Sequence, residues 1–163
     1  MKINQNKFLK KLSQIPEPDK SFIKLEDTKD ILLIIDEDDQ MIDSLTKTFF
    51  EFLNEKGINF ETIRYTLAKK PKQALDNIYY IKNLKSLNKD PKFQKLKNKI
   101  FDTTILITRN FEFNTLYLLK SIPSKMKVSP DFEINVADIT FIIKSDYNQY
   151  FDAIKSYLTH KNN

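Results

Sequence analysis

Four consecutive acids, Asp36-Glu37-Asp38-Asp39, follow directly on the apolar run Ile31-Leu32-Leu33-Ile34-Ile35. An apolar strand that delivers clustered carboxylates at its C-terminal end is one way to hold Mg²⁺ beside a phosphate, since a hard cation takes oxygen ligands. Asp36, Asp38 and Asp39 are the candidate ligands. In an open parallel sheet, ligands bind beyond the carboxyl ends of the strands. Thr108, Arg109 and Asn110 close a second apolar run and Lys144 and Ser145 a third, so three neighbouring strands would bring all of these to one rim. A phosphoryl group is the natural guest of such a rim. The other reading is structural: Asp38 and Asp39 cap the following helix, where negative charge meets the positive end of the helix dipole. A glycine-lined phosphate cradle has no material here, because Gly57 is the sole glycine of the chain.

A second constellation is basic. Residues 69–99 hold ten lysines, among them Lys69, Lys70, Lys72, Lys82, Lys85, Lys92 and Lys95, against Asp76 and Asp90. Tyr79, Tyr80 and Phe93 are interleaved, which allows phosphate contacts with some base stacking. The alternative is a solvated helical face whose lysine stems cover apolar neighbours. Arg64 and Arg109 are the only arginines, so bidentate phosphate or base recognition has little to draw on.

Composition narrows the chemistry. The 163 residues are 40% hydrophobic and 30% charged, with thirteen Phe, seven Tyr and no Trp, which is the balance of a globular domain. There is no cysteine, so disulfides, thiolate zinc sites and cysteine nucleophiles are excluded. The single histidine, His160, lies in a polar tail and offers no triad. No apolar stretch approaches the roughly 20 residues of a membrane-spanning helix. Met1–Ser13 lacks the apolar core of a signal peptide, so a cytoplasmic or organelle-matrix protein without a membrane partner is expected. The net charge of +5 is a modest attraction for polyanions.

The elements that must position these groups alternate. Residues 1–30 read as an N-terminal arm: Phe8, Leu9 and Leu12 line one short helical segment, stopped by Pro16 and Pro18. Ile31–Ile35 is the signature of a strand buried on both faces. Met41, Ile42, Leu45, Phe49, Phe52 and Leu53 recur at helical steps, and Gly57 follows where a left-handed C-cap belongs. Phe60–Leu67 alternates as a second strand. A helix opened by Pro71 is expected to carry Ala74, Leu75, Ile78, Ile81 and Leu84 inward, followed by a lysine-rich helical insertion over about residues 85–99. Thr103–Thr108 is a third strand, Thr115–Ile122 a helix, Met126–Val128 a short strand, Ile139–Ile143 the last strand and Tyr147–Leu158 a closing helix. Residues 31–158 therefore predict one α/β domain, a three-layer, doubly wound, mostly parallel sheet of Rossmann-like or flavodoxin-like type, with a tail at 159–163.

Ile31–Gly57, with its strand, acid cluster, helix and glycine, resembles the opening of a response-regulator receiver domain. Lys72-Gln73-Ala74-Leu75 resembles the receiver's second helix, Asp102–Thr108 its third strand and Asn114–Lys120 the helix after it. Ala137-Asp138 through Lys144-Ser145, with the helix to Leu158, resembles its closing strand, lysine and helix. The departures are specific. The position of the phosphorylated aspartate falls at Ile107 or Thr108, Ser145 replaces the proline after the lysine, and residues 122–137 are short for a fourth strand plus a fourth helix. The resemblance implies a pseudo-receiver: a non-catalytic interaction module that needs no cofactor and meets a protein partner near Lys144–Leu158.

A competing resemblance joins Ile34–Met41 and its helix to the Walker B segment of AAA+ clamp-loader subunits, and Ile105–Asn110 to their sensor strand. Ser121 falls where their arginine-finger motif has its serine, but Ile122 stands in place of the arginine. No G-x-x-x-x-G-K-[ST] precedes Gly57, so this resemblance implies a P-loop-less subunit of a replication complex. That subunit, or a basic ribosome-type protein using Lys69–Lys99, is the nucleic-acid alternative. A third reading is Mg²⁺-dependent phosphotransfer at Asp36, Asp38 and Asp39.

Overall fold

The apolar run Ile31–Ile35 forms the centre of the molecule: in the computed structural model each of its residues is at most 1% exposed. The structure describes residues 5–15, 23–39, 42–67, 78–81, 84–109, 112–130, 137–141 and 147–159. Within them run α1 (Gln5–Ser13), β1 (Asp30–Asp36), α2 (Ile42–Glu55), β2 (Asn59–Thr66), β3 (Ile78–Tyr80), α3 (Leu84–Leu87) and α4 (Pro91–Lys97). There follow β4 (Phe101–Ile107), α5 (Phe113–Ser121), β5 (Ser124–Pro130), β6 (Ile139–Phe141) and α6 (Tyr147–Thr159).

The six strands form one sheet in the order β3-β2-β1-β4-β5-β6, and every pairing is parallel. This is the doubly wound Rossmann order; without the three-residue β3 the remaining five follow the flavodoxin-like order. Side chains alternate across the sheet, so β1 sends Ile31, Leu33 and Ile35 to one face and Leu32 and Ile34 to the other. On the first face they pack with Phe49 and Leu53 of α2 and with Phe151 and Ile154 of α6. On the second face they meet Phe93 of α4 and Leu118 and Leu119 of α5. Tyr150 ties α6 down by donating its hydroxyl to the carbonyl of Leu106 at 2.7 Å.

Gly57 ends α2 as its position suggests. Its φ is +66°, the Ile58 N–H donates to the Leu53 carbonyl and the Gly57 N–H to that of Asn54, both at 3.0 Å. That is the left-handed cap in which glycine carries no Cβ penalty.

Two elements differ from expectation. Ile78, read as part of a helical face, lies with Tyr79 and Tyr80 in β3, a strand of β-branched and aromatic residues hydrogen-bonded to the edge of β2. Of the rest of that expected helix, Ile81 lies in a turn and Leu84 opens α3, while residues 71–77, 82 and 83 fall outside the described residues. The short strand expected at Met126–Val128 is the seven-residue β5. Its polar residues Ser124, Lys127 and Ser129 are buried, which hides the strand from a hydrophobicity reading. Lys127 Nζ reaches the carbonyl of Lys120 in the last turn of α5 at 3.2 Å, a cation on a helix C-terminus. In the segment read as an arm, Leu12 is 3% exposed and the Thr28 hydroxyl bonds that of Thr103 at 2.8 Å.

The amino ends of three strands are stapled by Asp102. Its carboxylate accepts the N–H groups of Lys29 (3.0 Å) and Asp30 (3.2 Å) and the ammonium of Lys125 (2.7 Å). Burial works to raise its pKa, but these donors outweigh it and hold the carboxyl below its ordinary value. A depressed folded-state pKa contributes stability that is present above the unfolded value and lost as pH falls through the folded one. Asp102→Asn is therefore expected to cost about 1–2 kcal/mol near neutrality and progressively less below roughly pH 4, read by urea unfolding across that range. A cost that grows as the pH falls would contradict the staple.

Candidate functional site

The order of the sheet reverses between β1 and β4, and the acid run leaves β1 at that point. Because the two strands pair in parallel with Ile35 opposite Ile107, Asp36 and Thr108 end side by side. The Thr108 hydroxyl donates to Asp36 Oδ2 at 2.7 Å, and the Asp38 N–H donates to Asp36 Oδ1 at 3.0 Å. Asp36 and Thr108 are buried, at 2% and 0% exposure.

Each of the other three acids turns to a different partner. Glu37 receives Arg64 of β2, whose guanidinium also reaches Asp43 at 3.3 Å. Asp38 turns to the end of β2, where the Thr66 hydroxyl and the Leu67 N–H (2.8 Å) donate to its two oxygens. Asp39 is held by Nε and Nη2 of Arg109 in a two-pronged ion pair. Its side chain is 2% exposed and that of Arg109 is 48% exposed. The bond to Asp39 raises the Arg109 pKa; for Arg64, burial opposes the rise, and the bonds to Glu37 and Asp43 prevail. The run thus stitches the carboxyl ends of β2, β1 and β4 together. The four acids diverge, and among the described residues no three carboxylate or imidazole groups are arranged to hold a metal ion. As placed, they do not present the converging oxygens that Mg²⁺ takes.

The expected rim is brought together in part. Asp36, Asp38, Asp39, Thr108 and Arg109 meet, while Asn110, Lys144 and Ser145 lie outside the described residues. The three strands assumed to be neighbours are not: β5 stands between β4 and β6, because its buried polar residues complete a full strand there. Of the lysines, Lys85, Lys92 and Lys95 are exposed on α3 and α4, and Lys69, Lys70, Lys72 and Lys82 lie outside the described residues. Phe93, one of the three aromatics expected among them, is 0% exposed in the core and packs on Tyr79 at a ring separation of 6.1 Å. It offers no face for a base.

The chain matches no family model, no curated protein and no solved structure.

Three residues that sequence reasoning missed complete the site. Tyr65 pairs with Asp36 in the β1–β2 register, Thr115 sits in the first turn of α5, and Tyr147 opens α6. Burial raises the pKa of both tyrosines, reinforced by Asp36 for Tyr65 and by Tyr65, Asp39 and Asp36 for Tyr147. Both hydroxyls therefore stay protonated through the physiological range. Their signal in the sequence is faint: Ile63 and Tyr65 share a face of an alternating strand, but only the register puts Tyr65 beside the acids.

Proposed function

We propose that this chain is a non-catalytic, receiver-like interaction module that meets a protein partner. The observation that carries the reading is the commitment of all four acids to donors within the chain, Asp36 to Thr108, Glu37 to Arg64, Asp38 to Thr66 and Leu67, and Asp39 to Arg109. Carboxylates that stitch strand ends are spent on the fold and are poorly placed to bind a cation or attack phosphorus. Two further features support it. The sheet without β3 has the flavodoxin-like strand order of receivers. The end of β4 carries Ile107 in the core and Thr108 on Asp36, with no carboxylate to accept a phosphoryl group.

The surface we assign to the partner is the β6 edge with α6. Tyr157 is 53% exposed there and meets the ring of Phe141 edge-on at 5.7 Å. The polyanion reading of Lys85, Lys92 and Lys95 has charge alone in its favour.

The test is incubation of the full chain with acetyl phosphate and Mg²⁺, followed by intact-mass and hydroxylamine-sensitivity measurements. No phosphoaspartate is expected, and Mg²⁺ alone should leave the unfolding midpoint unmoved, since a ligand stabilises only the state that binds it. A stable acyl phosphate on any of Asp36, Asp38 or Asp39 would overturn the reading.

A further inference from the structure

At the amino ends of β1, β2 and β4, the end of the sheet away from the acid run, the surface opens into a cleft of about 240 Å³. Ile31 and Phe101, each 1% exposed, line it together with the half-buried Phe60. Its charged residues are Asp30, Glu61 and Lys99, two carboxylates against one cation. Asn59, opposite Asp30 in the β1–β2 register, adds an amide. Lys99 is engaged: its ammonium pairs with Glu61 and lies 4.6 Å from the centre of the Phe101 ring. The half-buried Asp30 is different. Its N–H goes to Asp102, but its carboxylate has neither a donor nor a cation among the described residues.

We propose that this cleft binds the guanidinium head of an arginine side chain, free or displayed on a peptide. A carboxylate held partly out of water calls for donors. A planar guanidinium brings two in one fork and can lay its face on an aromatic ring. The protein already stabilises a cation here, with Lys99 between Glu61 and Phe101. The side chains of that pair are 43% and 49% exposed, so the pair is weak and a guest can share or take the seat of Lys99. An anion would meet one cation, already engaged, and two carboxylates. A wholly apolar guest would cover Asp30 and give it nothing in exchange. Size points the same way. The cleft falls below the roughly 300–1,000 Å³ of sites for drug-sized ligands and suits a single side chain. It is built on β1, β2 and β4, apart from the β6–α6 surface assigned to a protein partner, and the inference does not depend on that assignment.

The test is a titration of the isotope-labelled full chain with argininamide and with the peptide acetyl-Gly-Arg-Gly-amide, followed by backbone amide shifts. Saturable shifts are expected at Asp30, Ile31, Phe60 and Phe101 at millimolar ligand, and acetyl-Gly-Glu-Gly-amide should give none. Asp30→Asn should weaken binding about threefold, the scale of a half-exposed ion pair. Lys99→Ala should tighten it by a similar factor, because the competing ammonium is gone. Asp152→Asn removes the same charge from α6, where the side chain is 74% exposed, and should change nothing. The same spectra report whether each variant is folded, and Lys99→Ala keeps the test decisive should Asp30→Asn not fold. Tighter binding of the peptide than of argininamide assigns the arginine to a protein partner; equal or weaker binding assigns it to a free small molecule. The proposal fails if the wild type shows no saturable shift at those amides, or if Lys99→Ala binds no tighter. It fails equally if Asp30→Asn binds as the wild type does, or if Asp152→Asn weakens binding as much as Asp30→Asn.

Discussion

Asp36→Ala is expected to lower the unfolding free energy by about 3 kcal/mol, the largest effect of any single acid in the run. Two bonds to a charged acceptor are lost, each worth roughly 1.5–3 kcal/mol, and the donors left behind set the lower bound. Thr108 is 0% exposed, so its hydroxyl has no solvent to turn to. Relaxation of the strand ends offsets part of the total. In urea, the midpoint should fall with an unchanged slope, and the melting temperature should drop by about 6–12 °C for a domain of this size. An Asp36→Ala protein as stable as wild type would mean that the bridge between β1 and β4 contributes nothing.

The second large effect is expected at Arg109. Arg109→Ala leaves the Asp39 carboxylate, 2% exposed in its side chain, without its two-pronged cation. Breaking a fully buried pair costs about 3–5 kcal/mol, but Arg109 is itself half-exposed, so water can reach part of the charge left behind. A loss of about 2–3 kcal/mol is the expected result. Adding Asp39→Asn should recover about half of it, because the stranded charge is then gone. A double-mutant cycle in urea reads the coupling directly. Additive single effects would show that the two residues do not act as a pair.

The frame of this fold is plain in the sequence, and its joints are not. Ile31–Ile35 is a continuous apolar run bounded by charge, the signature of a strand buried on both faces, and Gly57 is the glycine that takes φ of +66° after α2. These are local signals, set by side-chain chemistry over a few neighbours. β5 escaped in part because Ser124, Lys127 and Ser129 are polar residues buried by their place in the sheet, with Lys127 satisfied by a helix end that no local window contains. Ile78 went to the wrong element for the reverse reason: its spacing fits a helix, and the edge of β2 decides otherwise.

The candidate site divides along the same line. The acids and the group at Thr108–Arg109 stand out as charged punctuation after apolar runs, and strand order brings them together. What each acid does depends on register, which has no local signature. Thr66 and Leu67 meet Asp38 because β2 runs parallel to β1 with Tyr65 opposite Asp36. The same register, with the packing of α5, sets the Tyr65 hydroxyl beside Asp36, Thr108 and Thr115, from four separate stretches of chain.

The claim at the centre of this account is that carboxylates which look like a cation site serve as the clasp of the sheet. Amide hydrogen exchange at Leu67 tests it most directly, since that N–H lies just beyond the β2 ladder and donates to Asp38 Oδ2. The account predicts slow exchange in the wild type and exchange near the free-peptide rate in Asp38→Ala, with the amides of the β1 core unchanged. Equal protection of Leu67 in the two proteins would contradict it.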